Sequence, residues 1–585
     1  MDRSARLLKQ LERLVQQEYT TQREHIESQW SLPLAQRVRT GKAIEGLALS
    51  GINDRTGRLA FTCQTNNSRF REGDYLFLHK SHPLLEPVVE CVLELDEETR
   101  LEMVPKSGNA RRLLDGPEGW IADEGFMDLS GYYLEALAEV ADRQVGRTRI
   151  LPLILGDAGP EVDLTSYQRG WEAAAEAGLN EQQAEAVAQA YATDLVYLVQ
   201  GPPGTGKTLV LAHVARLLAA EGERVLVTAL THRAINNALN QIAAIADDLP
   251  LCKVGQSARA DGLREDVPNY ESFNRSDLGQ ISGGYVIGAT PFATRTNRLS
   301  EVEFDTVLFD EASQATLPLA IMAMLVGKRY IFVGDDRQLP PVSSLPSQSP
   351  LSQDSIFSYL AGRGYDEMLT LTYRLNDRLT AWPSHTFYAG RLRPAPVVGA
   401  RRLELPSAPP RWPEVLDPQQ PAVFVDLYQR NTTVRSRREA EVVADLVLAL
   451  LQAGIPPEDL GVISPYRAQG REIRNLLRRL APDPAVHRAI VVDTVERMQG
   501  QEREVILVSL ATSSPAFAAE LADFFFQPQR LNVTVTRPRT KLIIVGSSTV
   551  LRAQPEHPET VEWVRTFENL LHSCTLRTLD HREGP

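Results

Sequence analysis

The sequence predicts an α/β protein: two successive parallel-sheet units, preceded by a helical stalk that carries a small β-barrel. Three observations carry that expectation. Residues 195–210 run from a short apolar strand through Gly201-Pro-Pro-Gly-Thr-Gly-Lys-Thr208 into an apolar-periodic segment, the strand–turn–helix order in which a glycine-rich loop cradles phosphates. Strand-length apolar runs alternate with helical segments from about 170 to 342 and again from about 370 to 546, the pattern of parallel sheets. Ahead of both, a long helical pattern gives way to short alternating runs and then to helical periodicity again.

A chain of 585 residues has room for about three or four structural units. Its 43% apolar and 23% charged content is that of an ordinary globular protein. No apolar run reaches the ~18 residues of a membrane span. The polar start Met-Asp-Arg-Ser-Ala-Arg does not read as a signal peptide, so no membrane partner is expected. Cys63, Cys91, Cys252 and Cys574 are scattered, with no C-x-x-C pair. That argues against a zinc finger, an iron–sulfur cluster or a disulfide framework, and for a reducing cytoplasm. The net charge of −13 weighs mildly against a nucleic-acid partner, but the field that matters is local. Arg430, Arg435, Arg437 and Arg438 form one basic cluster, and Arg467, Arg471, Arg474, Arg478 and Arg479 another. The second alternates with Ile473, Leu476 and Leu477 and reads equally well as the solvated face of an amphipathic helix.

In chain order, Leu7, Leu11, Leu14, Val15, Ile26 and Trp30 recur at helical spacing over 4–30, and Ser31-Leu-Pro33 breaks the helix. Alternating runs at Ala43–Leu49, Arg58–Gln64, Tyr75–Lys80, Val88–Leu95 and Leu101–Pro105, separated by turns such as 53–57, predict an antiparallel barrel of five or six strands. Helical periodicity returns over 117–145, with Trp120, Tyr133, Leu134, Leu137 and Val140. The first parallel sheet takes strands at Leu195–Val199, Arg224–Thr228, Tyr285–Ala289, Thr306–Phe309 and Tyr330–Val333. Polar residues 255–282 read as a surface insert, and the serine-rich Ser343–Ser355, with Pro346 and Pro350, as a loop leaving this sheet. The second takes Ala422–Asp426, Gly461–Ser464, Ala489–Val492, Val505–Ser509 and Lys541–Val545, with helices at Arg438–Leu451 and Ala468–Leu480. A last helix at Glu559–His572 precedes a frayed tail, Thr575–Pro585.

The chemistry is concentrated at strand ends. In the loop, Lys207 would reach β- and γ-phosphates and Thr208 would hold Mg²⁺, with the positive end of the following helix aimed at the anion. Asp310-Glu311 ends an apolar strand about 100 residues later. Asp310 suits Mg²⁺, and Glu311 suits the orientation and deprotonation of an attacking water. Gly334-Asp-Asp-Arg-Gln338-Leu-Pro-Pro-Val342 leaves a further strand, and Gln338 is placed to sense a γ-phosphate. Arg537 lies in the second unit; from spacing alone it reads first as a surface arginine, and alternatively as one facing the loop, where it would neutralise charge on a transferred phosphoryl group.

The ordered set resembles the superfamily 1 helicases, in the UPF/senataxin-like (superfamily 1B) group that includes the immunoglobulin mu-binding helicase. The matching stretches are Leu179-Asn-Glu-Gln-Gln183, Gly201–Thr208, Val225–Leu239, Asp310-Glu-Ala-Ser313, Gly334–Val342, Thr372-Tyr-Arg374, Ile463-Ser-Pro-Tyr466, Asp493-Thr494 through Gln499-Gly-Gln-Glu502, and Asn532–Arg537. The resemblance implies a stalk helix over 1–40, a barrel over 41–112 and a returning stalk helix over 113–165. It further implies a RecA-like domain over 166–355 with an insert at about 255–282, a second RecA-like domain over 356–572, and a tail over 573–585. ATP would contact Gly201, Pro202, Pro203, Gly204, Thr205, Gly206, Lys207 and Thr208. By the same resemblance Gln183 would read the adenine edge, Tyr373 would stack on the base, Glu502 would bond the ribose, and Gln338, Arg374 and Arg537 would meet the γ-phosphate. Thr231, Thr290, Pro291, Pro465, Tyr466 and Thr494 would contact the nucleic-acid backbone.

The activity implied is ATP-dependent 5′→3′ translocation on single-stranded nucleic acid with unwinding of a fork or partial duplex, the barrel gripping the duplex or docking a protein partner. A nucleic-acid-stimulated ATPase that strips proteins from strands, and a non-catalytic sensor, are the alternatives; intact Lys207, Asp310, Glu311 and Arg537 argue against the sensor. Thr372, Leu375 and Pro538 depart from the group's usual Gln, Met and Ala without removing a charged group. DNA and RNA are not distinguished, because phosphate contacts are common to both.

Overall fold

The computed structural model describes residues 2–579, apart from 54–56, 65, 67, 71–72, 86, 98, 107–109, 300, 346–350, 353 and 482. Pro346 and Pro350, the tip of the turn at 53–57 and the end of the expected tail therefore lie outside the described residues. The chain forms two compact units, one of Lys9–Leu134 with Ser343–Ser352, the other of Met1–Leu8, Glu135–Val342 and Gln353–Pro585. No helix among the described residues is long and apolar enough to cross a membrane.

The smaller unit follows from alternation. A helix over Arg3–Trp30 ends before Pro33, and β1 (Ala43–Ile52), β2 (Leu59–Thr62), β3 (Tyr75–His79), β4 (Val89–Asp96), β5 (Arg100–Pro105) and β6 (Trp120–Glu124) close into an antiparallel barrel in the order β1-β2-β5-β4-β3-β6. Every second residue points inward, so Leu59, Phe61, Leu76, Leu78, Cys91, Leu93, Leu101, Met103, Trp120 and Ala122 fill the core. The sixth strand corrects the sequence expectation of a barrel ending at 112 and helix from 117. β6 pairs with both β1 and β3, and helix begins only at Ser130. Five residues are too few to show a period, and the apolar spacing from Trp120 to Leu137 imitates a helix.

One polar cluster is locked into this unit. The Arg37 guanidinium donates to both carboxylate oxygens of Asp123 at 2.7 and 3.0 Å, and His79 Nε2 lies 2.9 Å from Asp123 Oδ2. All three side chains are buried. Removing one member of a buried pair strands the other charge, at a cost of about 3–5 kcal/mol. Asp123→Ala is therefore expected to lower the thermal midpoint of the barrel by several degrees or more. Calorimetry on the full chain measures this, and an unchanged midpoint would refute the ion-pair account.

The larger unit holds two sheets of RecA-like, all-parallel build. The first comprises β7 (Val196–Gln200), β8 (Arg224–Thr228), β9 (Leu251–Val254), β10 (Asn269–Tyr270), β11 (Tyr285–Gly288), β12 (Thr306–Phe309), β13 (Arg329–Gly334) and β14 (Asp366–Met368), in the order β10-β9-β11-β8-β12-β13-β7-β14. β9 and β10 were not expected; the polar stretch 255–282 includes β10 and three short 3₁₀ turns. β14 pairs with β7, and Ile356 N donates to Ala315 O at 2.8 Å, so the first sheet's territory runs past the boundary drawn at 355. A two-stranded pair follows, β15 (Leu371–Thr372) and β16 (Arg393–Pro394).

The second sheet has β17 (Ala422–Asp426), β18 (Leu460–Ile463), β19 (Val491–Asp493), β20 (Arg503–Ser509), β21 (Pro538–Gly546) and β22 (Thr575–Thr578), in the order β19-β18-β20-β21-β17-β22. Its inner strands are buried on both faces: Val423, Val425, Leu507 and Ile543 pack to one side, Phe424, Ile506, Val508 and Ile544 to the other. β22 corrects the expected frayed tail. Residues 575–578 extend the sheet beside β17; as an edge strand they keep Leu576 half exposed and so lack a buried strand's signature. Residue 489, expected to start a strand, ends a helix over Pro484–Ala489.

Candidate nucleotide and nucleic-acid sites

The glycine-rich loop leaves β7 and is tied down on both sides. Gly201 N donates to Gly334 O at the end of β13 (2.8 Å), and Tyr373 N donates to Gly204 O (2.8 Å). Thr372 Oγ1 donates to Pro203 O at 2.8 Å, and Thr205 Oγ1 to Pro202 O at 2.8 Å. Thr372, where the resembling group has Gln, thus clamps the loop. Gly204 and Gly206 sit at φ +75° and +81°, a region other residues avoid. A Cβ on Gly204 would lie 2.4 Å from Arg374 Cβ and 2.6 Å from Thr372 Oγ1. The loop delivers Lys207 and Thr208 as the first residues of the helix Lys207–Ala220, whose free N–H groups favour an anion.

Acidic groups from neighbouring strand ends face the lysine. Asp310 follows β12 with its N–H on Thr228 O at 2.9 Å, and Lys207 Nζ lies 3.3 Å from Glu311 Oε1. Glu311 is held at φ +51°, a strained conformation for a non-glycine residue. Burial and the adjacent Glu311 raise the Asp310 carboxyl, and Lys207 opposes the rise. Burial likewise raises Asp335, again against Lys207. A divalent cation fits this donor set: one carboxylate, one hydroxyl and open positions for phosphate oxygens are how Mg²⁺ is usually held.

Arginines from the stretch after β15 and from the turn before β21 face the same region. Arg374 Nε donates to Glu502 Oε2 at 2.5 Å, and its other arm reaches Thr536 O at 3.1 Å. Arg537 is fully buried, donating to Val533 O (2.9 Å), Gln501 O (3.2 Å) and Gln338 Oε1 (3.4 Å). The last bond joins the two halves directly. Gln338 in turn donates to Asp335 Oδ2 at 2.7 Å. On the other side of the loop, Gln183 Nε2 donates to Thr205 O at 2.9 Å, and Tyr373 OH accepts from Asn180 Nδ2 at 2.9 Å. Gln183, Gly204, Gly206, Leu209 and Tyr373 line an open cleft of about 790 Å³, within the range of small-ligand pockets.

Sequence reasoning missed several partners. Asn180 caps the helix Glu181–Ala192 and forms a capping box with Gln183, a spacing legible in Asn180-Glu-Gln-Gln183. Arg539 donates twice to Glu502 Oε1, at 2.9 and 2.7 Å. Tyr388 and Asn532 link Asp335 to the helix Pro528–Val535.

The expected nucleic-acid contacts all fall just beyond carboxyl ends of parallel strands: Thr231 after β8, Thr290 and Pro291 after β11, Pro465 and Tyr466 after β18, Thr494 after β19. Their environments differ. Thr231 is exposed and caps a helix, accepting from Ala234 N at 3.3 Å. Tyr466 packs its ring against Phe517 and Phe524. Thr494 is buried, and its hydroxyl has no partner among the described residues. Of the first arginine cluster, Arg437 pairs with Glu441 and Arg435 lies 3.8 Å from Glu472.

Two family models, each described as an AAA domain, match residues 178–347 and 352–549. The chain is 29% identical over 423 residues to the DNA replication ATP-dependent helicase/nuclease DNA2 of Saccharomyces cerevisiae, covering 67% of this chain and 27% of that protein. It is 30% identical over 413 residues to the Mus musculus protein of the same name, covering 65% and 38%. It is 29% identical over 579 residues to the Regulator of nonsense transcripts 1 homolog of Arabidopsis thaliana, covering 86% and 44%. The chain spans less than half the length of each of these relatives. On these matches the chain belongs to the superfamily 1 helicases, in the group that holds DNA2 and the regulators of nonsense transcripts.

Proposed function

We propose that this protein hydrolyses ATP between its two RecA-like sheets and uses the cycle to move 5′→3′ along single-stranded nucleic acid, unwinding duplex. The observation that carries the reading is the facing of Lys207, Glu311 and Gln338 from the first sheet by Arg374, which follows β15, and by Glu502 and Arg537 from the second sheet, bridged at Arg537–Gln338. Lys207 binds the β- and γ-phosphates, and Glu311 orients and deprotonates the attacking water. Thr208 and Asp310 would hold Mg²⁺, which would neutralise phosphate charge. Gln183 reads the adenine and Tyr373 stacks on it, and Glu502 bonds the ribose.

Nucleotide entry has a built-in cost. Lys207 must turn from Glu311, and Arg374 must leave Glu502, whose two oxygens are both held by guanidinium groups. Those exchanges draw the second sheet toward the first. The strand path over Thr231, Thr290, Pro291, Pro465, Tyr466 and Thr494 uses carboxyl ends of strands in both sheets, whereas Glu502 and Arg537 precede β20 and β21 at their amino ends. Moving the second sheet for ATP therefore moves its strand contacts. The barrel is proposed to grip the fork duplex or a protein partner. The four scattered, buried cysteines suit a reducing, cytoplasmic compartment.

ATPase titrations with matched DNA and RNA strands, beside unwinding of partial duplexes with 5′ or 3′ tails, test the reading. Strand-stimulated hydrolysis and unwinding of 5′-tailed substrate alone are expected. ATPase without strand stimulation would overturn it. Displacement of bound protein without unwinding would make it a remodeller.

A further inference from the structure

We propose that Tyr388 is a positioning residue for ATP turnover: its hydroxyl couples Asp335, at the end of the first sheet's β13, to Asn532, one turn ahead of Arg537. The inference rests on the nucleotide site proposed above and adds a residue that no motif assigned. Tyr388 follows the helix Asp377–Phe387 and is buried. Its O–H donates to Asp335 Oδ2 at 2.7 Å, and its oxygen accepts from Asn532 Nδ2 at 2.8 Å. The same amide donates to Arg337 O at 2.8 Å.

Two parallel links thus run from one carboxylate to the stretch Asn532–Arg537. Asp335 Oδ2 accepts from Gln338, and Gln338 Oε1 accepts from Arg537. Asp335 Oδ2 also accepts from Tyr388, and Tyr388 accepts from Asn532. Asn532 and Arg537 belong to one short stretch, stapled by Thr536 Oγ1 on Asn532 O at 2.6 Å and Arg537 Nε on Val533 O at 2.9 Å. All five members, Asp335, Gln338, Tyr388, Asn532 and Arg537, are nearly inaccessible to solvent. Buried polar networks of this kind are stiff, because every broken bond leaves an unsatisfied group. Asp335 follows Gly334, whose carbonyl holds the phosphate loop at Gly201 N, and it grips the stretch Asn532–Arg537 through both links, so a shift at the phosphates becomes a shift of Arg537. The Gln338 link alone is long, at 3.4 Å; Tyr388 supplies the shorter, stronger one.

Tyr388→Phe keeps the ring and deletes the hydroxyl. A lost hydrogen bond to a charged group predicts roughly a tenfold or greater fall in strand-stimulated kcat. The KM for ATP and the affinity for a fluorescent ATP analogue should stay within about twofold, since Tyr388 is not in the loop. Asn532→Ala cuts the other end of the relay and should reproduce that split, so the test survives if Tyr388→Phe fails to fold. Melting temperatures are read in parallel, because a merely structural tyrosine would lower stability and leave kcat per folded molecule unchanged. Wild-type kcat retained in folded Tyr388→Phe or Asn532→Ala, or a loss confined to ATP affinity, would overturn the inference. Absence of ATPase in the unaltered protein would instead sink the functional reading beneath it.

Discussion

Replacing Lys207 with alanine is expected to abolish ATP hydrolysis, by at least two to three orders of magnitude, while leaving single-strand binding largely in place. Preorganised charge aimed at the transferring group is usually the largest single catalytic contribution, with losses of about 10²–10³ for one donor. Lys207 carries more than that here. It is half-buried opposite Glu311 and opposes the rise that burial imposes on the Asp310 and Asp335 carboxyls. Without it, incoming phosphates would meet Asp310, Glu311 and Asp335 with no lysine between them. The proposed strand contacts at Thr231, Thr290, Pro465 and Thr494 follow other strands, so fluorescence anisotropy at fixed salt should give near-unchanged strand affinity. Purified Lys207→Ala that still hydrolyses ATP would remove the loop from the mechanism.

How far the sequence revealed this arrangement depends on how local each signal is. The loop, Asp310-Glu311 and the buried strands Arg224–Thr228, Thr306–Phe309 and Ala422–Asp426 were legible because each is written within a few consecutive residues and buried on both faces. β6, β10, β14 and β22 were not, being short, at the barrel seam or at sheet edges, where only pairing with distant strands makes them strands. The same division runs through the site. Gln183 stood out by resemblance, yet its amide is already spent on Asn180 and Thr205, so reading adenine requires that bonding to be shared or exchanged. Arg539 on Glu502, and Tyr388 between Asp335 and Asn532, are unions of segments 37, 53 and 144 residues apart. No spacing rule connects such positions.

Arg537→Ala is expected to keep ATP binding within a few-fold and to lose turnover by about a thousandfold, the scale of an arginine that stabilises charge on a transferring phosphoryl group. The surroundings of this side chain suit the proposed role. It is fully buried beside Arg374, and burial first, then that like charge, draws its guanidinium down to about 9. A cation so poorly compensated gains more from a phosphate than a solvated arginine would. Its hydrogen bonds among the described residues go to neutral oxygens at Val533, Gln501 and Gln338, so no carboxylate hydrogen-bonded to it need be displaced before it engages. Alanine would also strand those carbonyls, and a stability loss of about 1–3 kcal/mol should accompany the kinetic one. Single-turnover hydrolysis well below the variant's melting temperature separates the two effects. Arg537→Lys sharpens the test: it restores charge without the planar fork, and should recover stability more than rate. Turnover in either variant equal to that of the unaltered protein would show that Arg537 only braces the turn between the helix Pro528–Val535 and β21.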